Sequence, residues 1–203
     1  FYRYIRRSPE ISAQTVKILK YNEFIRNLVV PTHLSLFSMK PLHGTGLLVI
    51  EPSLIFGIVD LMFGGAGRSQ TRGDQRGYSH TENKVINGLL DVIFEEYTSA
   101  WKPVYKHLDL KYLRSEVNTQ FVNIANPSEI VVCTDFQIEL GGGCASGMIH
   151  ICFPYSSIEP IRDLLNSTMQ GNQTETDVRW VKTLKNEMQK VAVDLVATLA
   201  ESN

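Results

Sequence analysis

The segment Gly46-Leu47-Leu48-Val49-Ile50-Glu51-Pro52 returns about 100 residues later as Gly147-Met148-Ile149-His150-Ile151-Cys152-Phe153-Pro154, with one residue inserted before the proline. Each copy is a compact apolar run stopped by a residue that cannot donate to a sheet ladder. Each is followed by a short helical pattern: Leu54, Ile55, Ile58, Val59 and Met62 after the first, and a segment from about Tyr155 to Asn166 after the second. Two copies at this spacing are too few for a stacked solenoid. They predict two fused, similar halves, about 9–103 and 104–203, sharing one sheet, and each half reads strand, strand, short helix, loop, long helix. The predicted fold class is α/β (α+β): a pseudo-twofold α/β/α sandwich on a mainly antiparallel sheet.

The remaining segments fill this plan. ISAQTVKILK, residues 11–20, predicts one strand with Val16 and Ile18 on a common face, and THLSLFSMKPL predicts another in which Leu34, Leu36 and Phe37 alternate less cleanly. The first long helix is marked by Ser79 and Glu82, which have the spacing of a capping box. Val85, Ile86, Leu89, Leu90, Ile93, Phe94, Tyr97 and Trp101 then form one stripe that stops before Pro103. Strand-like sequence from His107 to Phe121 and from Glu129 to Leu140, separated by Asn126-Pro127-Ser128, predicts a long hairpin, and the glycines at 141–143 make the next turn. After the polar linker NSTMQGNQTETD, a last helix carries Val181, Leu184, Met188, Val191, Leu195 and Leu199 at three- and four-residue steps. The opening Phe1-Tyr2-Arg3-Tyr4-Ile5 reads like the last turn of a helix broken at Ser8-Pro9, so residues 1–8 are expected to end a longer N-terminal helix.

Composition narrows the function classes. A chain of 203 residues with 43% hydrophobic content can bury an ordinary core. Its 20 basic and 21 acidic residues are interspersed, which leaves no global field to draw it to nucleic acid or anionic lipid. No apolar run approaches the roughly 20 residues of a membrane span, and the opening lacks the apolar core of a signal peptide, so membrane insertion is not expected. Cys133, Cys144 and Cys152 are odd in number and lack CxxC spacing, which points to reduced thiols in a cytosolic protein.

The loosest passage, FGGAGRSQTRGDQRGYSHTE at residues 63–82, lies between two strong helical patterns. A phosphate loop needs glycine amides before a helix N-terminus and after a strand; here the glycines follow a helix, no GK[ST] comes after Gly67, and no third glycine completes GxGxxG. Gly64 fits a helix C-cap followed by a solvated loop. His150 and Cys152 share a strand face as two zinc ligands could, but Cys144 is the one other ligand type nearby, and a buried core role accounts for both. His80 belongs at an exposed helix start, where Glu82 is already used as a cap, and Arg6 and Arg7 fit a solvated helix end. No Ser-His-Asp set or paired-carboxylate set is present, and no cofactor or metal site is predicted.

LVVPTHLSLFSMKPLHGTGLLVIEPSLIFGIVDLMFGGAGR followed by SHTENKVINGLLDVIFEEYTSAW resembles the middle domain of the FliM family of flagellar motor switch proteins, and the similarity runs from about RRSPEIS through the final helix. The resemblance implies a single domain over 9–203 of the CheC/CheX/FliM type, lying in the cytoplasmic switch ring at the base of the bacterial flagellum. It implies that the GGxG loop, here Phe63, Gly64, Gly65, Ala66, Gly67 and Arg68, binds the rotor protein FliG, and that neighbouring FliM middle domains pack side by side. Met62 and Phe63 fit either an apolar partner contact or the core. A secondary contact with phosphorylated CheY is also implied. The peptide that captures CheY and the domain that joins FliN are expected to lie beyond the two ends of this sequence.

The related CheC and CheX proteins are phosphatases of phosphorylated CheY, and they carry [DS]xxxExxN on a long helix. With Asn87 in the last position of that motif, Lys84 stands where Glu is needed and His80 where Asp or Ser belongs. In the last helix Thr183, Glu187 and Lys190 keep the acid but lose the amide. The resemblance therefore favours a non-catalytic scaffold and signal relay over the phosphatase alternative.

Overall fold

A computed structural model describes residues 2–30, 32–67 and 77–171 of the chain. The chain divides into two units, 1–161 and 162–203. In the first unit the elements run α1 (Tyr2–Ile5), β1 (Glu10–Ala13), β2 (Lys17–Lys20), α2 (Tyr21–Asn27), β3 (His33–Lys40), β4 (Thr45–Ile50), α3 (Pro52–Met62) and α4 (His80–Trp101). They continue with β5 (Asp109–Glu116), a 3-10 turn (Thr119–Phe121), β6 (Ile130–Glu139), β7 (Ser146–Pro154), α5 (Tyr155–Ile158) and a second 3-10 turn (Glu159–Ile161). The described part of the second unit is α6 (Arg162–Gly171). The final helix carrying Val181 to Leu199 lies outside the described residues.

The described strands form one antiparallel sheet in the order β1-β6-β7-β4-β3-β5, with β2 also on β6. This order reads the same from either end when β4 is exchanged for β7, β3 for β6, and β5 for the β1–β2 pair. The repeated segments noted in the sequence are β4 and β7, which lie beside each other with Leu47 opposite Cys152 and Ile50 opposite Ile149. The duplicated sequence therefore sits at the centre of the sheet, where an antiparallel pair can relate two copies by a twofold rotation.

Both faces of the sheet are covered. On one face Phe37, Leu48, Ile50, Ile149 and Ile151 pack against Leu54, Ile55 and Ile58 of α3 and Ile86, Leu89, Leu90, Ile93 and Phe94 of α4. On the other, Leu34, Leu36, Leu47, Val49, Val131, Cys133 and Cys152 pack against Tyr21 and Phe24 of α2 and against Val122. Each fully buried Leu, Ile or Phe contributes about 1.5–3 kcal/mol relative to leaving it in water. Burial on both faces explains the imperfect alternation of β3: Leu36 and Phe37 point to opposite faces and are both buried. The α4 start is as the spacing predicts. The Glu82 amide donates to Ser79 Oγ at 3.3 Å, and the Ser79 amide donates to Glu82 Oε2 at 2.7 Å.

Three sequence expectations need correction. Residues 11–20 form two short strands, because three residues between Ala13 and Lys17 face two on β6, so the pairing slips by one. Val16 and Ile18 are both exposed. The hairpin expected from residues 107–140 does not form: β5 pairs with β3 at one edge, whereas β6 pairs with β7 in the other half of the sheet. The connection between them carries Val122 across the second face, where Tyr21 OH donates to the Val122 carbonyl at 2.8 Å. The helix expected from 155 to 166 is broken into α5, a 3-10 turn and α6, since Pro160 has no amide to continue the ladder.

Buried His33 offers a test of the packing. Its ring lies 5.6 Å from Tyr78, its Nδ1 is 3.1 Å from Ser35 Oγ, and burial pushes its pKa down to about 4. The folded chain thus binds fewer protons than the unfolded chain between pH 6.5 and 4. The His33 contribution to stability is fully present above pH 6.5 and falls through that window by up to about 3 kcal/mol. Urea unfolding at stepped pH should show this loss in the wild-type chain and a flatter profile in His33→Gln. Equal slopes would place the loss elsewhere.

Candidate functional site

The glycine loop begins as the termination of α3. Pro52 opens that helix at a position that needs no amide donor, and Leu54, Ile55, Gly57 and Ile58 are buried against the sheet. At its end the Gly64 amide donates to the Leu61 carbonyl at 3.1 Å and the Gly65 amide to the Asp60 carbonyl at 2.8 Å. This paired closure requires a left-handed residue after the cap, and Gly64 supplies it with φ of 84°. The expected C-cap function of Gly64 is thus realised by geometry, with Phe63 at the cap itself.

Beyond the cap, side chains hold the chain in place. The Gly67 amide donates to Asp60 Oδ2 at 2.7 Å, and Gly67 has φ of 70°. The turn between β6 and β7 grips the loop from the other side: the Ala145 amide donates to the Gly67 carbonyl at 2.6 Å, and the Cys144 thiol donates to the Ala66 carbonyl at 3.1 Å. Arg7 Nη1 in turn donates to Cys144 Sγ at 3.2 Å, so the segment after α1 touches the same cluster. Gly67 is buried, whereas Gly64, Gly65 and Ala66 are exposed. Met62 and Phe63 are 44% and 68% exposed, which removes both from the core and leaves two large apolar side chains facing solvent beside the loop. Arg68 lies outside the described residues. The Tyr78 ring sits 5.6 Å from His33 and 5.9 Å from Phe56.

The other residues weighed for chemistry lie apart. His150 Nδ1 is 2.7 Å from Asp135 Oδ1, and Lys17 Nζ is 2.7 Å from Asp135 Oδ2. Burial alone raises the Asp135 carboxyl, but the hydrogen bonds from Lys17 and His150 outweigh it and hold the group below the usual carboxylate range. Cys152 faces Cys133 across β6 and β7, and burial pushes the Cys152 thiol well up, so Cys152 supplies no reactive thiolate. His80, Lys84 and Asn87 lie exposed along α4, away from its buried Ile86, Leu89 and Leu90 stripe. Thr183, Glu187 and Lys190 lie outside the described residues.

Sequence reasoning missed Asp60, Cys144 and Ala145 as parts of the loop, and missed the partnership of Lys17 and Asp135 with His150. A signal for Asp60 existed. An acid in the last turn of a helix is opposed by the negative end of the helix dipole and needs a compensating donor, here the Gly67 amide.

The model of one protein family, "Flagellar motor switch protein FliM", matches residues 1–170 of this chain. The Escherichia coli flagellar motor switch protein FliM is 43% identical over 198 residues, which cover 97% of this chain and 58% of that protein. The chain therefore spans under two thirds of the length of that relative. Among solved structures, the FliM middle domain from Vibrio alginolyticus aligns with a TM-score of 0.70 and 36% identity, over 80% of this chain and 89% of that one. A FliM solved in a FliG-FliM complex from H. pylori aligns with a TM-score of 0.72 and 31% identity, over 79% of this chain and 85% of that one.

The loop geometry ranks two substitutions. Gly64→Ala meets open space and suffers the left-handed backbone alone, a loss of about 1–2 kcal/mol. Gly67→Ala adds crowding, because its Cβ would stand 2.9 Å from the Leu61 side chain and 3.1 Å from Cys144 Cβ. Urea denaturation should find Gly67→Ala the less stable of the two; the reverse order would contradict the loop conformation.

Proposed function

The chain belongs to the flagellar motor switch protein FliM family, and from that premise we propose that its loop at 63–68 docks FliG within the cytoplasmic switch ring. The observation that carries this reading is the exposure of Phe63 and Met62 on a loop whose backbone is already fixed by Asp60, Cys144 and Ala145. Exposed large apolar side chains on a rigid frame have the character of an interface anchor, since little ordering cost remains when a partner covers them. The solved FliG-FliM complex of a relative supports the choice of partner. Residues 9–203 are read as one FliM middle domain that packs beside its neighbours in the ring. It makes a secondary contact with phosphorylated CheY, and FliN joins through a further domain. The ring is read as lying peripherally at the inner-membrane face; none of the described helices is long and apolar enough to cross a membrane.

The proposed role is mechanical and relaying rather than catalytic. On α4 the positions of the phosphatase motif hold His80, Lys84 and Asn87, so an amide is present without the acid that would anchor CheY beside it. A water-positioning site needs both groups in one place.

Phe63→Ala should weaken FliG binding at least about tenfold, as loss of a buried aromatic anchor does, while circular dichroism stays unchanged. Titration calorimetry with FliG measures it, and undiminished affinity would remove the loop as the docking site. Separately, phosphorylated CheY should decay at its intrinsic rate when the chain is added; acceleration proportional to chain concentration would favour the phosphatase alternative.

A further inference from the structure

The structure assigns Asp60 the role of a positioning residue that pre-forms the docking loop, a role that rests on the FliG reading above. Asp60 grips the loop at two alternate residues: its backbone carbonyl accepts from Gly65 and its carboxylate from Gly67. The carboxylate also occupies the space that a Cβ at residue 65 would need, so Gly65 and Asp60 form a matched pair. Gly65 itself has no positive φ to require glycine. The glycine at 65 is therefore explained by the passage of the Asp60 side chain over it, and the glycines at 64 and 67 by the left-handed turns on either side. From the opposite flank, Ala145 and Cys144 close on Gly67 and Ala66. The result is a loop held between α3 and the β6–β7 turn before any partner arrives, with Phe63 presented at the helix cap.

This assignment differs from a charge contact in which Asp60 touches FliG directly. Asn at position 60 keeps an oxygen to accept from Gly67 but removes the charge, whereas Ala removes both. FliG affinity of the chain should fall about tenfold in Asp60→Ala, the effect of losing a hydrogen bond to a charged acceptor, and stay within about threefold in Asp60→Asn. Amide exchange at Gly67, read by NMR without FliG, should accelerate in Asp60→Ala and not in Asp60→Asn. Gly65→Ala should weaken FliG binding in the wild-type background and do so less in Asp60→Ala, because the overlapping side chain has gone. Equal losses in Asp60→Asn and Asp60→Ala would overturn the positioning role in favour of a charge contact. Wild-type binding by Asp60→Ala alongside weak binding by Phe63→Ala would overturn it while leaving the docking site intact. Wild-type binding by both variants would overturn the docking site, and the role of Asp60 with it.

Discussion

The antiparallel pairing of β4 with β7 is the seam on which the rest of the structure depends. It joins the two similar stretches of sequence, and every other strand is attached outward from it. Its end is tied twice: the Glu51 amide donates to the Met148 carbonyl at 3.0 Å, and the Met148 amide donates to Glu51 Oε2 at 2.8 Å. Glu51 is also the residue from which α3 departs. The direction of that helix, and the place where its last turn delivers Phe63, are consequently set by the central pair of the sheet. Gly57, midway along α3, lets the helix approach Ala145 so closely that a Cβ there would stand 2.7 Å from Ala145 Cβ. The β6–β7 turn can then reach the loop.

The glycine loop is thus a joint product of the two sequence copies. The first supplies α3, Asp60 and the glycines; the second supplies Cys144 and Ala145. The Ala145 amide bonded to the Gly67 carbonyl joins the loop to the start of β7, so the loop is tied to both strands of the central seam.

Much of this was readable in the sequence, for identifiable reasons. The duplication announced two similar halves on one antiparallel sheet, though not that the repeated strands would pair at its centre, and the Ser79–Glu82 pair located the start of α4, because capping bonds are local. Gly64 was readable as a C-cap for the same reason. The partners of β5 and β6 were not readable, since the period of a strand tells which face is buried and not which neighbour it chooses. Asp60, Cys144 and Ala145 escaped notice because their role arises from contacts between residues 60 and 67 and between residues 66 and 144, and the second of these exists only once the sheet has closed. The FliM family signature named the loop, but its glycines alone gave no indication that Gly65 answers to a side chain five residues earlier.

The exchange of edge strands has a consequence for how the chain acquires its shape. Strand β5 follows the first long helix yet completes the sheet beside β3, and β1 and β2, near the beginning, wait for β6. Lys17 finds Cys133 and Glu10 finds Glu139 across more than half the sequence. Such pairings reward the chain only after long loops have been closed, which makes for slow assembly. During synthesis, residues 1–100 hold β3, β4 and α3, but β3 lacks β5 and β4 lacks β7 until residues 109–154 have followed. The open edges of β3 and β4, and the idle β1 and β2, are there until the second copy emerges, and in that interval the growing chain is exposed to pairing with a second nascent copy of itself.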